Sequence, residues 1–386
     1  MKLLKIGTLN VPRNRWLDAT KIFDKIYVVC MEKEIELDNE KIVYLKMHQS
    51  SGLSQLLSKL VFRIARRFRG NKIIVKLSLM ILRLTNSKII NKIKKLDFDY
   101  THSSYNDFDE SGILTLMLQP FIKHTKITRA YKENRPEKNY VEKSCFSIAN
   151  RLVFNSNENK EYFLKKHKDI NWDNKEIIID LDEDYRQEEI INKVILKQKL
   201  SDNDQKNHVV ILAGRVMSDA KNKRSGTRLF YIPLINELIN AGLVVHLHTM
   251  RIIDDKNGVN QYEILKRENL KNFHIEGPLD FENNPIKSYE ILSGYNFGIL
   301  HNISDDDKYV SVFDKINIPH RFYEYQIAGV IPILKRGDTT LMERLFESEK
   351  YGVVYDSLND LNDLKCVPDN FNKQSFLNYI SKLYKN

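Results

Sequence analysis

Cysteine is almost missing. Cys30, Cys145 and Cys366 are the only three in 386 residues, and no Cys-x-x-Cys pair occurs. An odd, widely spaced set excludes a disulfide framework and a thiolate zinc site, and it points to a reducing cytoplasm. Glycine (14) and proline (9) are sparse as well. That is too little for a collagen-like or low-complexity chain, and less than a turn-rich all-β protein spends. No apolar run reaches the ~18 residues of a membrane-spanning helix. The N-terminal MKLLKIGTLNVPRNRW lacks a small-residue cleavage site and reads as a first strand, not a signal peptide. Gly-x-Gly-x-x-Gly, the Walker lysine loop, Gly-x-Ser-x-Gly and His-Glu-x-x-His are all absent, which weighs against oxidoreductase, NTPase, hydrolase and metalloprotease readings. What the chain does have is 42% hydrophobic and 10% aromatic residues, enough for a sizeable core, and a length that suits two domains.

Acidic residues are missing from one long block. Between Ser51 and Leu96 there are twelve Lys and Arg and no Asp or Glu, while the whole chain carries a net +10. The rest of the protein is therefore close to neutral. Within the block Leu53, Leu56, Leu57, Leu60, Val61, Ile64 and Phe68 recur at helical spacing, with Lys59, Arg63, Arg66 and Arg67 between them. Ile73–Leu84 follows as a second apolar stretch. Two readings stay open: an amphipathic surface lying on an anionic membrane, or core helices with a basic outer side. A nucleic-acid partner is not expected. The charge forms one block instead of a groove, and no aromatics interleave with it.

Elsewhere strand-like and helix-like segments alternate. LLKIGTL, KIYVVCM, KIVYLKM, KLDFDYTHSS, KITRAY and NRLVFNS alternate with helical spacings, and the pattern restarts at HVVILAGR with LVVHLHTM, NFHIEGPL, NFGILHN, VIPIL and YGVVYDS. Alternating β and α predicts an α/β fold with parallel sheets covered on both faces. A polar helix over 186–200 and a turn-rich SDNDQKN separate the two runs. The expected division is a domain over 1–185, a second over 186–365, and a terminal amphipathic helix in 366–386 packing back on the first. Two doubly wound domains would place ligands beyond the carboxyl ends of the strands, in a cleft.

The most specific segment is Pro319-His320-Arg321-Phe322-Tyr323-Glu324-Tyr325-Gln326-Ile327-Ala328-Gly329-Val330-Ile331-Pro332-Ile333. A helix begins after proline, carries a carboxylate in its first turns, stops at glycine and feeds a strand. A carboxylate there would accept from two adjacent ribose hydroxyls, and a helix N-terminus favours a diphosphate. HVVILAGRVMSDAKNKRSG adds Gly214, Arg215, Lys221 and Lys223 after a strand, and NFHIEGPL adds Gly277. Together these segments resemble the donor-nucleotide region of retaining glycosyltransferases of the two-domain GT-B type (the family-4-like group), over roughly residues 190–365.

That resemblance implies transfer of a sugar from a nucleotide sugar, UDP or GDP, to an acceptor hydroxyl with retention and without a metal or other cofactor. It implies donor contacts from Gly214, Arg215, Gly277, Arg321 and Glu324, and leaving-group stabilisation by Arg215 with Lys221 or Lys223. His102, in a polar loop after a strand, would reach the donor sugar; Asp107 would orient the acceptor and Arg129 would bind a phosphate on it. The family's earlier carboxylate is replaced by Ile316, which leaves a non-catalytic sugar-nucleotide or polysaccharide binder as the alternative. Asp97-Phe98-Asp99, Asp180-Leu181-Asp182 and Asp305-Asp306-Asp307 are Asp-rich stretches, but the diphosphate already has cationic partners, and no metal site is assigned. The expected acceptor is a glycan or lipid-linked glycan of bacterial surface polysaccharide synthesis, handled in the cytoplasm or at the inner membrane face.

Overall fold

The computed structural model describes residues 1–7, 15–30, 36–47, 52–105, 110–121, 127–130, 139–181, 186–219, 229–300, 315–337, 339–361 and 374–384. The chain divides into two compact units, Met1–Glu183 with Phe376–Asn386, and Asp184–Ser375.

The first unit holds seven strands: β1 (Lys2–Ile6), β2 (Lys25–Cys30), β3 (Ile42–Lys46), β4 (Tyr100–Tyr105), β5 (Ile127–Ala130), β6 (Arg151–Phe154) and β7 (Glu176–Ile179). They pair in the order β3-β2-β1-β4-β5-β6-β7, and every pairing is parallel. Chain order reverses between β1 and β4, which makes that the switch point of the sheet. Central strands such as KIYVVC are nearly continuous in apolar residues because helices cover both faces. Gly7 follows β1 with φ of +93°, and a Cβ there would lie 2.8 Å from Cβ of Ser111. Glycine at this position lets the strand end touch the start of the Glu110–Leu118 helix.

The basic block forms three helices, Leu53–Arg67, Lys72–Thr85 and Ser87–Lys94. Their inner sides are core, as the second sequence reading expected, and their outer sides are basic and partly apolar. Val61, Phe62, Ala65, Val75, Leu79 and Leu82 enter the core of the first unit with Leu4, Ile6 and Leu114, while Leu53, Leu56, Leu60, Ile73, Leu77 and Leu84 remain exposed.

The terminal helix Phe376–Tyr384 belongs to the first unit. Its anchors are specific. Lys382 Nζ reaches Asp180 Oδ2 at 2.6 Å, Arg151 Nη1 donates to the carbonyl of Leu383 at 2.6 Å, and Phe376 meets Trp16 edge-on.

The second unit has a six-stranded parallel sheet of β8 (His208–Ala213), β10 (Val244–Thr249), β12 (Phe273–Glu276), β13 (Phe297–Ile299), β14 (Ile331–Lys335) and β15 (Val353–Tyr355), ordered β12-β10-β8-β13-β14-β15. A two-stranded parallel extension, β9 (Val216–Met217) with β11 (Ile252–Ile253), continues β8 and β10. The switch point lies between β8 and β13. One face packs Val209, Ile211, Val245, Leu247, Ile299 and Ile333 into the unit's core. The other receives the His320–Ala328 helix, where the ring of Tyr325 sits on Gly298 so closely that a Cβ would be 2.5 Å away.

The helix expected over 186–200 is confined to Glu188–Lys193. The following chain is drawn out because it is tethered: Lys197 N–H donates to Ser293 Oγ, and Lys199 Nζ donates to the carbonyls of Ser293, Tyr295 and Gly329.

Candidate functional site

At the carboxyl end of β8 the ladder with β10 breaks and then resumes as β9 with β11. Gly214 and Arg215 occupy the break on one strand, Met250 and Arg251 on the other, and all four are exposed. Ile252 pairs with Val216, so Arg251 lies beside Arg215. Two exposed arginines thus occupy adjacent register positions at the strand ends, where an anion would offset their mutual repulsion. Gly214 has no positive φ, and a Cβ there would meet nothing within 4 Å. Neither a tight turn nor crowding demands this glycine. What it leaves is bare backbone next to two arginines.

The ends of β8 and β13 are joined by Arg321, on the first turn of the His320–Ala328 helix. Its Nη1 donates to the carbonyl of Leu212 at 2.8 Å and to Tyr231 Oη at 3.2 Å, and its Nη2 donates to the carbonyl of Leu300. Leu212 is near the end of β8 and Leu300 follows β13. The guanidinium therefore staples the two strands across the switch point.

Glu324 lies one turn further along, 4% exposed. Arg186 Nη2 reaches its Oε1 at 2.6 Å, and Tyr289 Oη donates to its Oε2. Arg186 Nε also donates to Tyr289 Oη at 2.7 Å, so the three side chains close a ring of hydrogen bonds. Burial by itself would lower the pKa of Arg186; the Glu324 charge and Tyr289 more than reverse that, and the guanidinium stays charged.

The chain after β12 is braced by β10. His248 Nδ1 lies 2.7 Å from the carbonyl of Gly277, and its Nε2 lies 2.8 Å from Tyr295 Oη. A carbonyl only accepts, so Nδ1 carries the proton, and in a neutral ring Nε2 accepts from the tyrosine. Burial supports that form by lowering the His248 pKa and raising that of Tyr295. His246, on the same face of β10, is pushed down to about 3, chiefly by burial and then by the neighbouring His208 and His274.

In the first unit, His102 is not on a loop. β4 runs on through Tyr105, and His102 is 0% exposed. Its Nδ1 is 2.7 Å from Tyr384 Oη, and its ring meets Trp16 edge-on at 5.2 Å. The correction has a simple cause. The terminal helix covers this strand, and the polar letters THSS were read as a loop although Ser103 is satisfied inside by Thr115 at 2.8 Å.

Neither a protein-family model nor a curated protein sequence matches the chain. Solved structures match its fold. A glycosyltransferase from Rickettsia africae aligns over 100% of this chain and 97% of that one, with a TM-score of 0.51 and 14% identity. HepE from Anabaena in complex with UDP-glucose aligns over 100% and 95%, with a TM-score of 0.50 and 12% identity. The fold is GT-B. At these identities the likeness speaks for architecture alone.

In this GT-B chain the expected site residues fall into three sets. Gly214, Arg215 and Gly277 are exposed at the strand ends of the second unit. Arg321 and Glu324 are committed to protein partners, which corrects the expectation that both side chains face the ligand: Arg321 is needed by strand carbonyls, and Glu324 by the buried charge of Arg186. Asp107, Lys221, Lys223 and the Asp305–Asp307 run lie outside the described residues, as does the side chain of Arg129, whose backbone is in β5. Asp97 and Asp99 hold Lys2 at the amino end of β1, the wrong end of the sheet for a ligand. Among the described residues no three His, Cys, Asp or Glu are grouped as metal ligands. Arg251 and the His248–Tyr295 brace escaped the sequence reading. His246 and His248 two apart in an apolar strand were the available sign of a shared face; Arg186 and Arg251 offered none.

Proposed function

We propose that the protein is a nucleotide-sugar-dependent glycosyltransferase whose donor binds at the strand ends of the second unit. The observation that carries this reading is the pair Arg215 and Arg251 beside the bare backbone of Gly214, at the carboxyl ends of β8 and β10 in a GT-B sheet, β8 being one of the two strands that flank the switch point. The diphosphate of UDP or GDP lies against the two guanidinium groups, which neutralise its charge and stabilise it as the leaving group. The loop at Gly277, held by His248, borders the nucleobase. Arg321 and Glu324 act as positioning residues: one fixes the strand ends and the other fixes the helix that approaches them. Transfer breaks the bond between the anomeric carbon and the diphosphate oxygen. The acceptor oxygen forms the new bond on the same face, and its proton passes to the departing diphosphate. No side-chain base is required, in keeping with the burial of His102 and Ile316. The acceptor is a glycan or lipid-linked glycan bound by the first unit, as in assembly of a bacterial surface polysaccharide.

Thermal unfolding with UDP, GDP, CMP and ADP tests the donor site, since a ligand of the folded state alone raises the melting temperature. One nucleotide should stabilise the wild type, and Arg215→Ala and Arg251→Ala should each weaken it about tenfold or more, the worth of one charge-assisted hydrogen bond. No response to any nucleotide would refute the proposal. The buried Ile316 in place of a carboxylate favours a second reading, a protein that binds the sugar nucleotide without turning it over. Slow release of labelled sugar from the nucleotide sugar distinguishes transferase from binder; complete inertness selects the binder.

A further inference from the structure

The paired helices Leu53–Arg67 and Lys72–Thr85 each carry two apolar stripes. On the first, Ser58, Val61, Phe62 and Ala65 face inward; on the second, Val75, Ser78, Leu79 and Leu82 do. The inward stripes are what a single core requires. The outward ones are not. Leu53 is 88% exposed, Leu56 69%, Ile73 71% and Leu84 71%, with Leu60, Leu77 and Met80 each more than half exposed. At 100° per residue these positions lie roughly opposite the inward stripes. Because both inward stripes enter the same core, both outward ones face away from it, on neighbouring helices. Exposed apolar stripes on two neighbouring helices mark a contact site.

The charges around it choose the occupant. Arg63, Arg66, Arg67, Lys72 and Lys76 are exposed on the same two helices, and no acidic residue occurs between Ser51 and Leu96. At one end of the stripe lies a 350 Å³ pocket lined by Ser54, Leu84, Asn86, Ser87, Lys88 and Lys92. Leu84 thus belongs to both the apolar stripe and the pocket, whose rim carries two lysines. Apolar side chains, a basic border and an adjoining pocket of mixed lining with two lysines match an interface of acyl chains and anionic headgroups. No helix among the described residues is long and apolar enough to cross a bilayer.

We propose that these two helices seat the first unit on the surface of an anionic phospholipid bilayer, with Leu56, Leu60, Ile73, Leu77 and Met80 among the acyl chains and a headgroup phosphate between Lys88 and Lys92. The proposal does not rest on the transferase reading, and its test contains no nucleotide.

The full chain is mixed with vesicles of phosphatidylcholine, alone or with about a quarter phosphatidylglycerol, and recovered by flotation. It should float with the anionic vesicles and stay down with the neutral ones, and added salt should weaken binding. Two variants at exposed positions should keep the wild-type melting temperature. Arg63→Glu/Lys72→Glu/Lys76→Glu should lose on the order of a hundredfold in partitioning, from three basic residues near the surface. Leu56→Ser/Leu60→Ser/Leu77→Ser should lose at least about tenfold. Failure of the wild type to float, equal flotation with neutral vesicles, or variants that bind like the wild type would each overturn the proposal. So would light scattering that shows a dimer dispersed by the leucine variant, because the face would then belong to a second copy of the chain.

Discussion

Arg186→Met should be among the most damaging single substitutions in the second unit. Arg186 is 1% exposed and Glu324 4%, and the ion pair between them is closed by Tyr289. Removing the cation strands a carboxylate where water cannot replace the lost partner. The penalty for breaking a buried pair this way is about 3–5 kcal/mol. For a domain of this size each kcal/mol is worth ~2–4 °C, so the melting temperature of the unit should fall by about 6–20 °C. Glu324→Gln, which keeps a hydrogen-bonding shape without the charge, should cost less alone and should rescue Arg186→Met in part. A double-mutant cycle from calorimetry or urea unfolding gives the interaction directly, and residues in contact within one such network typically couple by ~0.5–3 kcal/mol. A coupling near the top of that range is expected. Additivity within about 0.5 kcal/mol would show that the two side chains do not sense one another, and the account of Glu324 as a helix-positioning residue would fail.

Acid should destabilise the second unit through His246. Its folded pKa is about 3, against about 6.5 unfolded. Between those values the unfolded chain holds the extra proton, so stability is full above pH ~6.5 and declines as the pH falls, by roughly 2 kcal/mol at pH ~5. Urea titrations should show that slope in the wild type and a shallower one in His246→Phe, which keeps the ring contacts; equal slopes would contradict the reasoning. Two glycines should separate packing from binding. Gly298→Ala drives a methyl into the buried Tyr325 ring and should cost about 1–3 kcal/mol. Gly214→Ala meets open space, so it should change stability by less than ~0.5 kcal/mol while weakening nucleotide binding. A stability loss at Gly214 equal to that at Gly298 would remove the argument for backbone approach by a ligand.

Much of the fold was readable because its signals are local. Apolar runs of four to six residues between helical periods identify covered parallel strands, and LVVHLHTM, HVVILAGR and KIYVVCM all became central strands. Of the candidate residues, Gly214, Arg215 and Gly277 lie where the sequence placed them, exposed after strands, because a strand that ends and turns is a local signal. The site was misread where polar letters are satisfied inside. His102 reads as an exposed loop residue until the terminal helix, far along the chain, supplies Tyr384. Glu324 reads as a carboxylate for a ribose until Arg186 arrives from a segment with no motif.

The sequence alone therefore determined the order of strands and helices, the alternating architecture, and the single block where all the excess positive charge resides. Those properties depend on residues near one another along the chain. Tertiary structure decided which charges are spent. A buried guanidinium must find a carboxylate, a strand carbonyl left at a sheet's end must find a donor, and a helix with two apolar stripes can turn only one inward. Each choice is made among partners distant in sequence, so it appears only when the chain is folded.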